Sequence, residues 1–119
     1  MASIKHIEIA GVDAEKLEAF YGQLFGWAIT TRNVAGFDYR DVDLPGDLSG
    51  GIRQEPDGPA EIVIYVEVDE LEAAVGRAEA LGARIRIPPM DYGELRFALV
   101  TDPEGNPIGL TQKPTAGED

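Results

Sequence analysis

Hydrophobic and polar positions change period several times along the chain, and each change marks an element. Residues 4–10, Ile4-Lys5-His6-Ile7-Glu8-Ile9-Ala10, read as a strand of mixed polarity. From residue 14 the period lengthens. Leu17, Phe20, Tyr21 and Leu24 fall at i, i+3, i+4 and i+7, which predicts a helix over 14–25. Asp13 stands at the N-cap position and Gly26 where a left-handed residue ends a helix. Strands are expected near 27–31, 37–43 and 50–54, with turns around Gly36 and Pro45-Gly46-Asp47.

A turn-rich connector over 55–59 separates this pattern from a second copy. Residues 61–68 are strongly β-prone. Asp69 reads as an N-cap with Glu72 completing a capping box, and Leu71, Ala74, Val75, Ala78 and Leu81 form a helical stripe stopped by Gly82. Strands are expected near 83–87, 95–100 and 107–112, with loops over 88–93 and 101–106. Val12 and Val68, Asp13 and Asp69, Gly26 and Gly82, Ile29 and Ile85, and Ile52 and Ile108 are each 56 residues apart. The chain therefore reads as a βαβββ unit used twice, an α+β fold, with repeat one over about 4–55 and repeat two over about 60–112. All 119 residues are assigned to one domain, with 113–119 as a flexible tail.

Composition narrows the chemistry. Ten basic against 22 acidic residues give a net charge of −12, which argues against nucleic acid or an anionic membrane as partner. The acids concentrate at helix caps, outer helix faces and turns, as on a solvated exterior. No cysteine is present, so disulfides, thiolate metal sites and cysteine nucleophiles are excluded. A single histidine excludes an all-histidine metal cage within one chain. No apolar run is long enough to span a bilayer, and the N-terminus has no signal-peptide core, so a cytoplasmic location is expected.

The segments Phe20-Tyr21, Leu24-Phe25-Gly26-Trp27, Leu81-Gly82-Ala83 and Asp102-Pro103-Glu104-Gly105-Asn106, in this order inside a βαβββ repeat, carry a resemblance. The chain resembles the vicinal oxygen chelate superfamily, which includes glyoxalase I, bleomycin-resistance proteins and extradiol dioxygenases. The resemblance implies an incomplete curved barrel of eight strands with helices outside, a ligand in its hollow and, in many members, a divalent metal. It also implies a homodimer. His6 matches the first-strand metal ligand. The 56-residue offset puts the equivalent position at Ile62; the resemblance places the last-strand ligand at Gly109, a few residues after the 102–106 turn, and subtracting 56 gives Arg53. Isoleucine and glycine offer no donor and a guanidinium repels a cation. No metal cofactor is therefore expected, and His6 is the one matching ligand position.

The remaining candidates follow from strand alternation. His6 and Glu8 share a face and are the candidate catalytic pair, with His6 read as metal ligand, general base or polar anchor, or plain wall residue. Arg53 is a candidate partner for Glu8 or for an anionic ligand. Tyr39, Trp27, Ile62, Ile64 and Gly109 are candidate pocket-lining positions. Met90 and Tyr92 are placed on a loop at the cavity mouth, with Gly93 as a hinge. Ser49-Gly50-Gly51 has no histidine near it in sequence, and the Asp102–Asn106 stretch reads as a tight structural turn. Three functions follow: a glyoxalase-like protein that binds a small organic molecule without metal, a lyase, isomerase or dioxygenase using His6 or a metal, or a non-catalytic interaction module.

Overall fold

In the computed structural model, which describes residues 2–114, eight strands and two helices alternate as the repeat predicts. They are β1 (Ser3–Gly11), α1 (Ala14–Phe25), β2 (Ile29–Val34), β3 (Phe37–Val42), β4 (Ser49–Gln54), β5 (Glu61–Val68), α2 (Leu71–Ala80), β6 (Arg84–Tyr92), β7 (Leu95–Thr101) and β8 (Pro107–Gln112). The chain is thus α+β, built from two βαβββ repeats. It divides into two compact units, Lys5–Ile64 and, in the described part, residues 65–114 with 2–4. Most of the tail expected at 113–119 lies outside the described residues. No helix among the described residues is long and apolar enough to cross a membrane.

In the first unit the strands run in the order β2-β3-β4-β1. β1 pairs parallel with β4, setting His6 opposite Ser49, Glu8 opposite Gly51 and Ala10 opposite Arg53. β3 is antiparallel to both β2 and β4. The β2–β3 hairpin turns at Ala35-Gly36, both with positive φ (52° and 87°), the requirement of a type I′ turn. Asp13 caps α1, its carboxylate accepting from the Lys16 N–H at 3.2 Å, and Gly26 ends the helix at φ 73°. Ala14, Val42 and Ile52 form the buried centre under α1, flanked by Ile9, Leu17, Tyr21 and Trp27.

In the second unit the order is β5-β8-β7-β6. Leu71, Val75, Ala98 and Leu110 form its core, with Val66 and Val68 packed against them. Two details depart from the sequence reading. The N-cap of α2 is Glu70 and its side chain makes no capping bond; Gln112 Oε1 instead accepts from the Leu71 N–H at 2.8 Å. The segment 88–93 is not a loop, because β6 continues through Pro88 and Pro89 to Tyr92. Proline cannot donate to a ladder, so it fits only an edge strand or a bulge. β6 is the last strand of its order, and both prolines fall in the register break between Ile87 and Met90. The connection shrinks to Gly93-Glu94, with Gly93 at φ 64°. Asp102 accepts from the backbone N–H groups of Glu104 and Asn106 and from Asn106 Nδ2, which makes 102–106 the structural turn expected.

Candidate functional site

Alternation divides each strand of the first unit between two faces. Ile9, Val42 and Ile52 face α1. His6 and Glu8 on β1, Tyr39 and Asp41 on β3, and Ser49 and Arg53 on β4 take the opposite parity. The parallel register of β1 and β4 then brings residues more than forty positions apart into contact.

These side chains form one continuous hydrogen-bonded chain. Ser49 Oγ lies 2.6 Å from His6 Nδ1, and His6 Nε2 lies 2.8 Å from Tyr39 Oη. The Tyr39 hydroxyl donates to Glu8 Oε2 at 2.9 Å, and Arg53 Nε donates to Glu8 Oε1 at 2.9 Å. Arg53 also donates to Glu55 at 2.5 Å and approaches Glu61 at 3.9 Å. Arg32 pairs with Asp41 beside Tyr39, and its guanidinium sits 5.7 Å from the Tyr39 ring centre. Glu8 is only 6% exposed, so its charge is tolerable because both oxygens are used.

Burial pushes the His6 imidazole below its ordinary value, against the opposing pull of Glu8 and Asp41 and with a smaller push from Arg32. His6 is therefore a neutral base at pH 7. Burial also works against the Arg53 charge, but Glu8 and Glu55 outweigh it and raise its pKa. Arg53 is thus ringed by carboxylates, which fulfils the expected pairing with Glu8.

A glycine makes this arrangement possible. A Cβ at Gly51 would overlap the Tyr39 hydroxyl and ring edge, so Tyr39 reaches His6 and Glu8 only because β4 carries no side chain there. The second unit has a similar overlap, made by a tyrosine of a different strand, β5. A Cβ at Gly109 would overlap the Tyr65 ring. Gln54 and Gln112 each accept from the first N–H of their helix, Ala14 and Leu71. This equivalence pairs Gly51 with Gly109, 58 residues apart, and the starts of α1 and α2 are 57 apart. With the 57-residue offset of the helix starts and the buried parity of β5, the counterpart of His6 is Val63 and that of Glu8 is Tyr65. The uniform offset of 56 is therefore off by one or two residues in the strands, which corrects the pairing of His6 with Ile62 and of Gly109 with Arg53.

The divalent metal implied by the resemblance does not fit these residues. Both His6 nitrogens and both Glu8 oxygens already have partners, and Val63, Gly51 and Gly109 offer no side-chain donor. Among the described residues no group of three or more His, Cys, Asp or Glu is placed to hold a metal ion.

Of the sequence candidates, the structure brings His6, Glu8, Tyr39 and Arg53 together. Ile62 is 58% exposed and shares the parity of Val66 and Val68, as does Ile64, whereas Val63 is buried on the other face. Trp27 stacks on Tyr21 and lies tilted against Phe25 on the α1 side of the first unit. Gly109 lies under Tyr65. Met90, 42% exposed, and Tyr92, in edge contact with Phe97, belong to the β6–β7 hairpin of the second unit. That unit also carries an apolar groove of about 340 Å³ lined by Arg77, Leu81, Val100, Pro103 and Leu110, with none of the sequence candidates in it. Ser49, set aside in sequence because no histidine lies near it, meets His6 in space, as parity along β4 would have indicated by placing it with Arg53; Glu55 and Glu61 escaped the sequence reading.

Comparisons with known proteins agree with this architecture. A family model described as a glyoxalase-like domain matches residues 6–111. The CFP32 protein of Mycobacterium tuberculosis, named provisionally as a glyoxylase, is 29% identical over 114 residues, 89% of this chain and 44% of its own length. The chain thus spans less than half of that relative. Among solved structures, hypothetical protein BH1468 of Bacillus halodurans aligns with a TM-score of 0.72 at 13% identity, covering 99% of each chain. Methylmalonyl-CoA epimerase of M. tuberculosis aligns with a TM-score of 0.68 at 15% identity, covering 94% of this chain and 88% of that one. At such identities the structures share the fold alone. With a family model matched across nearly its whole length, the chain belongs to the glyoxalase-like domain family.

Proposed function

We propose that this chain binds a small organic molecule on the face carrying His6, Tyr39, Glu8 and Arg53, and does so without a metal ion. The observation that supports this is the closed chain of partners around His6 and Glu8, which leaves a ligand to be met by hydrogen-bonding groups. Ser49, exposed at the end of the chain with His6 behind it, is the polar anchor. The charges around it favour a neutral or amine-bearing ligand over an anion, because Arg53 already faces Glu8, Glu55 and Glu61. A CoA ester, the ligand in one solved methylmalonyl-CoA epimerase complex, would bring phosphates toward this acidic cluster.

The protein acts as a homodimer in this reading. Phe20, Leu24 and Phe25 on α1 are each more than half exposed, an apolar patch that a second copy would cover. Light scattering on the full chain tests this, with twice the monomer mass expected.

The lone histidine provides the test of binding. A panel of neutral and amine-bearing small molecules is titrated while the His6 ring-proton signals are followed by NMR. The expected result is a saturable shift for at least one compound, unchanged by EDTA and absent for matched carboxylates. Binding that requires a stoichiometric divalent ion overturns the reading.

A further inference from the structure

Ser49 ends the hydrogen-bonded chain at the surface, and counting protons along that chain gives its hydroxyl a role. Glu8 is the carboxylate partner of Arg53 and has no proton to give. The phenolic proton of Tyr39 therefore goes to Glu8. Tyr39 Oη must then accept from His6 Nε2–H at 2.8 Å. A neutral imidazole carries one proton, so His6 Nδ1 presents a lone pair to Ser49 Oγ at 2.6 Å. The Ser49 hydroxyl also donates to the Lys5 carbonyl at 3.1 Å, so its one proton is divided between that oxygen and Nδ1, with Nδ1 the shorter contact. The result is an exposed hydroxyl on a base, with the base oriented by a third group that is anchored in turn by a buried carboxylate.

We propose that Ser49 is a nucleophile toward small electrophilic esters, with His6 as its general base and Tyr39 and Glu8 as positioning residues. Ser49 Oγ attacks the ester carbonyl carbon, and its proton passes to His6 Nδ1. The bond to the leaving oxygen breaks, and the departing alkoxide takes the proton back from His6. An acyl-serine remains. Water then attacks the acyl carbon and gives its proton to His6; the bond between Ser49 Oγ and the acyl carbon breaks, Oγ takes the proton back from His6, and the acid leaves. The imidazolium formed in each half is stabilised by Tyr39 with Glu8 behind it and by Asp41, and opposed by Arg32. This activity goes beyond ligand binding and stands on the relay geometry together with the neutral state of His6.

The chain has two serines, Ser3 and Ser49, so one serves as control for the other. The full chain is treated with diisopropyl fluorophosphate and, separately, p-nitrophenyl acetate, followed by intact mass and peptide mapping. With the fluorophosphate, the Ser49 oxygen–phosphorus bond replaces the phosphorus–fluorine bond, fluoride leaves, and His6 takes the proton. The expected result is one adduct per chain on Ser49 and none on Ser3. Its rate should fall at least about tenfold in His6→Gln and in Tyr39→Phe, each checked for native circular dichroism. Ser49→Ala should lose the adduct while keeping its fold. An adduct on Tyr39, equal labelling of Ser3 and Ser49, an unchanged rate in His6→Gln, or no adduct at all overturns the proposal. None of these results bears on the binding titration, so the two readings fail separately.

Discussion

The Tyr39 ring lies across Gly51, occupying the space that any side chain at position 51 would need. From there its hydroxyl meets both His6 and Glu8. Gly51→Ala should therefore destabilise the protein by about 1–3 kcal/mol through overpacking. This runs against the usual gain of about 0.5–1 kcal/mol when a strand glycine is replaced by alanine. The tyrosine must move, so the variant should also lose the low His6 titration midpoint. Urea unfolding followed by Trp27 emission measures the first effect and NMR the second. A neutral or stabilising substitution would contradict the packing described. Gly109→Ala should behave alike, because Tyr65 covers it in the same manner.

Arg53 and Glu8 form an ion pair in which Glu8 is the buried member. Arg53→Met should leave that carboxylate facing Glu55 and Glu61 without a cation. Breaking a fully buried pair costs about 3–5 kcal/mol; Arg53 is 29% exposed, so about 2–3 kcal/mol is expected. The double variant Arg53→Met with Glu8→Gln should recover part of that loss. Denaturant titration of the three proteins gives the comparison, and a double variant no better than the single one would argue against the pairing.

The His6 titration should have a midpoint below 6.5, since burial is the largest influence on it. Below 6.5 the unfolded chain takes up a proton at His6 before the folded chain does, so the unfolded state binds more protons. The stabilisation is complete above 6.5 and is lost as pH falls through the lowered folded value. His6→Asn should flatten this part of the stability profile. Asp41→Asn should lower the midpoint further, because Asp41 favours the charged ring. A midpoint above 6.5 would show that the carboxylates, not burial, control His6.

Helix caps separate the two repeats. Asp13→Ala should cost about 1 kcal/mol, since its carboxylate satisfies the Lys16 N–H. Glu70→Ala should cost almost nothing, because Glu70 makes no side-chain capping bond. Thermal unfolding of both variants checks the difference, and equal losses would contradict it.

The elements of the fold were legible because period and punctuation agree locally. Asp13, Gly26 and Gly36 fix ends and turns whatever lies beyond them. The shared face of His6 and Glu8 was legible for the same reason, since alternation within one strand needs no partner. Correspondence between repeats was harder to read. Insertions of one or two residues change the offset from 56 at Gly26 and Gly82 to 58 at Gly51 and Gly109, and a one-residue slip in a strand exchanges its faces. This is why Ile62 appeared where Val63 belongs. The meeting of Ser49 with His6 depends on parallel pairing across 43 residues, which no local pattern encodes. Pro88 and Pro89 signalled a loop because an edge strand with a register break tolerates what an interior strand excludes.

The central claim is that His6 and Glu8 are held by protein partners in place of a metal. The most direct measurement is the metal content of the full chain, purified without chelator and equilibrated with zinc and then with nickel, with His6→Ala in parallel. The account predicts bound metal far below one ion per chain and no difference between the two proteins. One ion per chain in the parent, lost in His6→Ala, would contradict it.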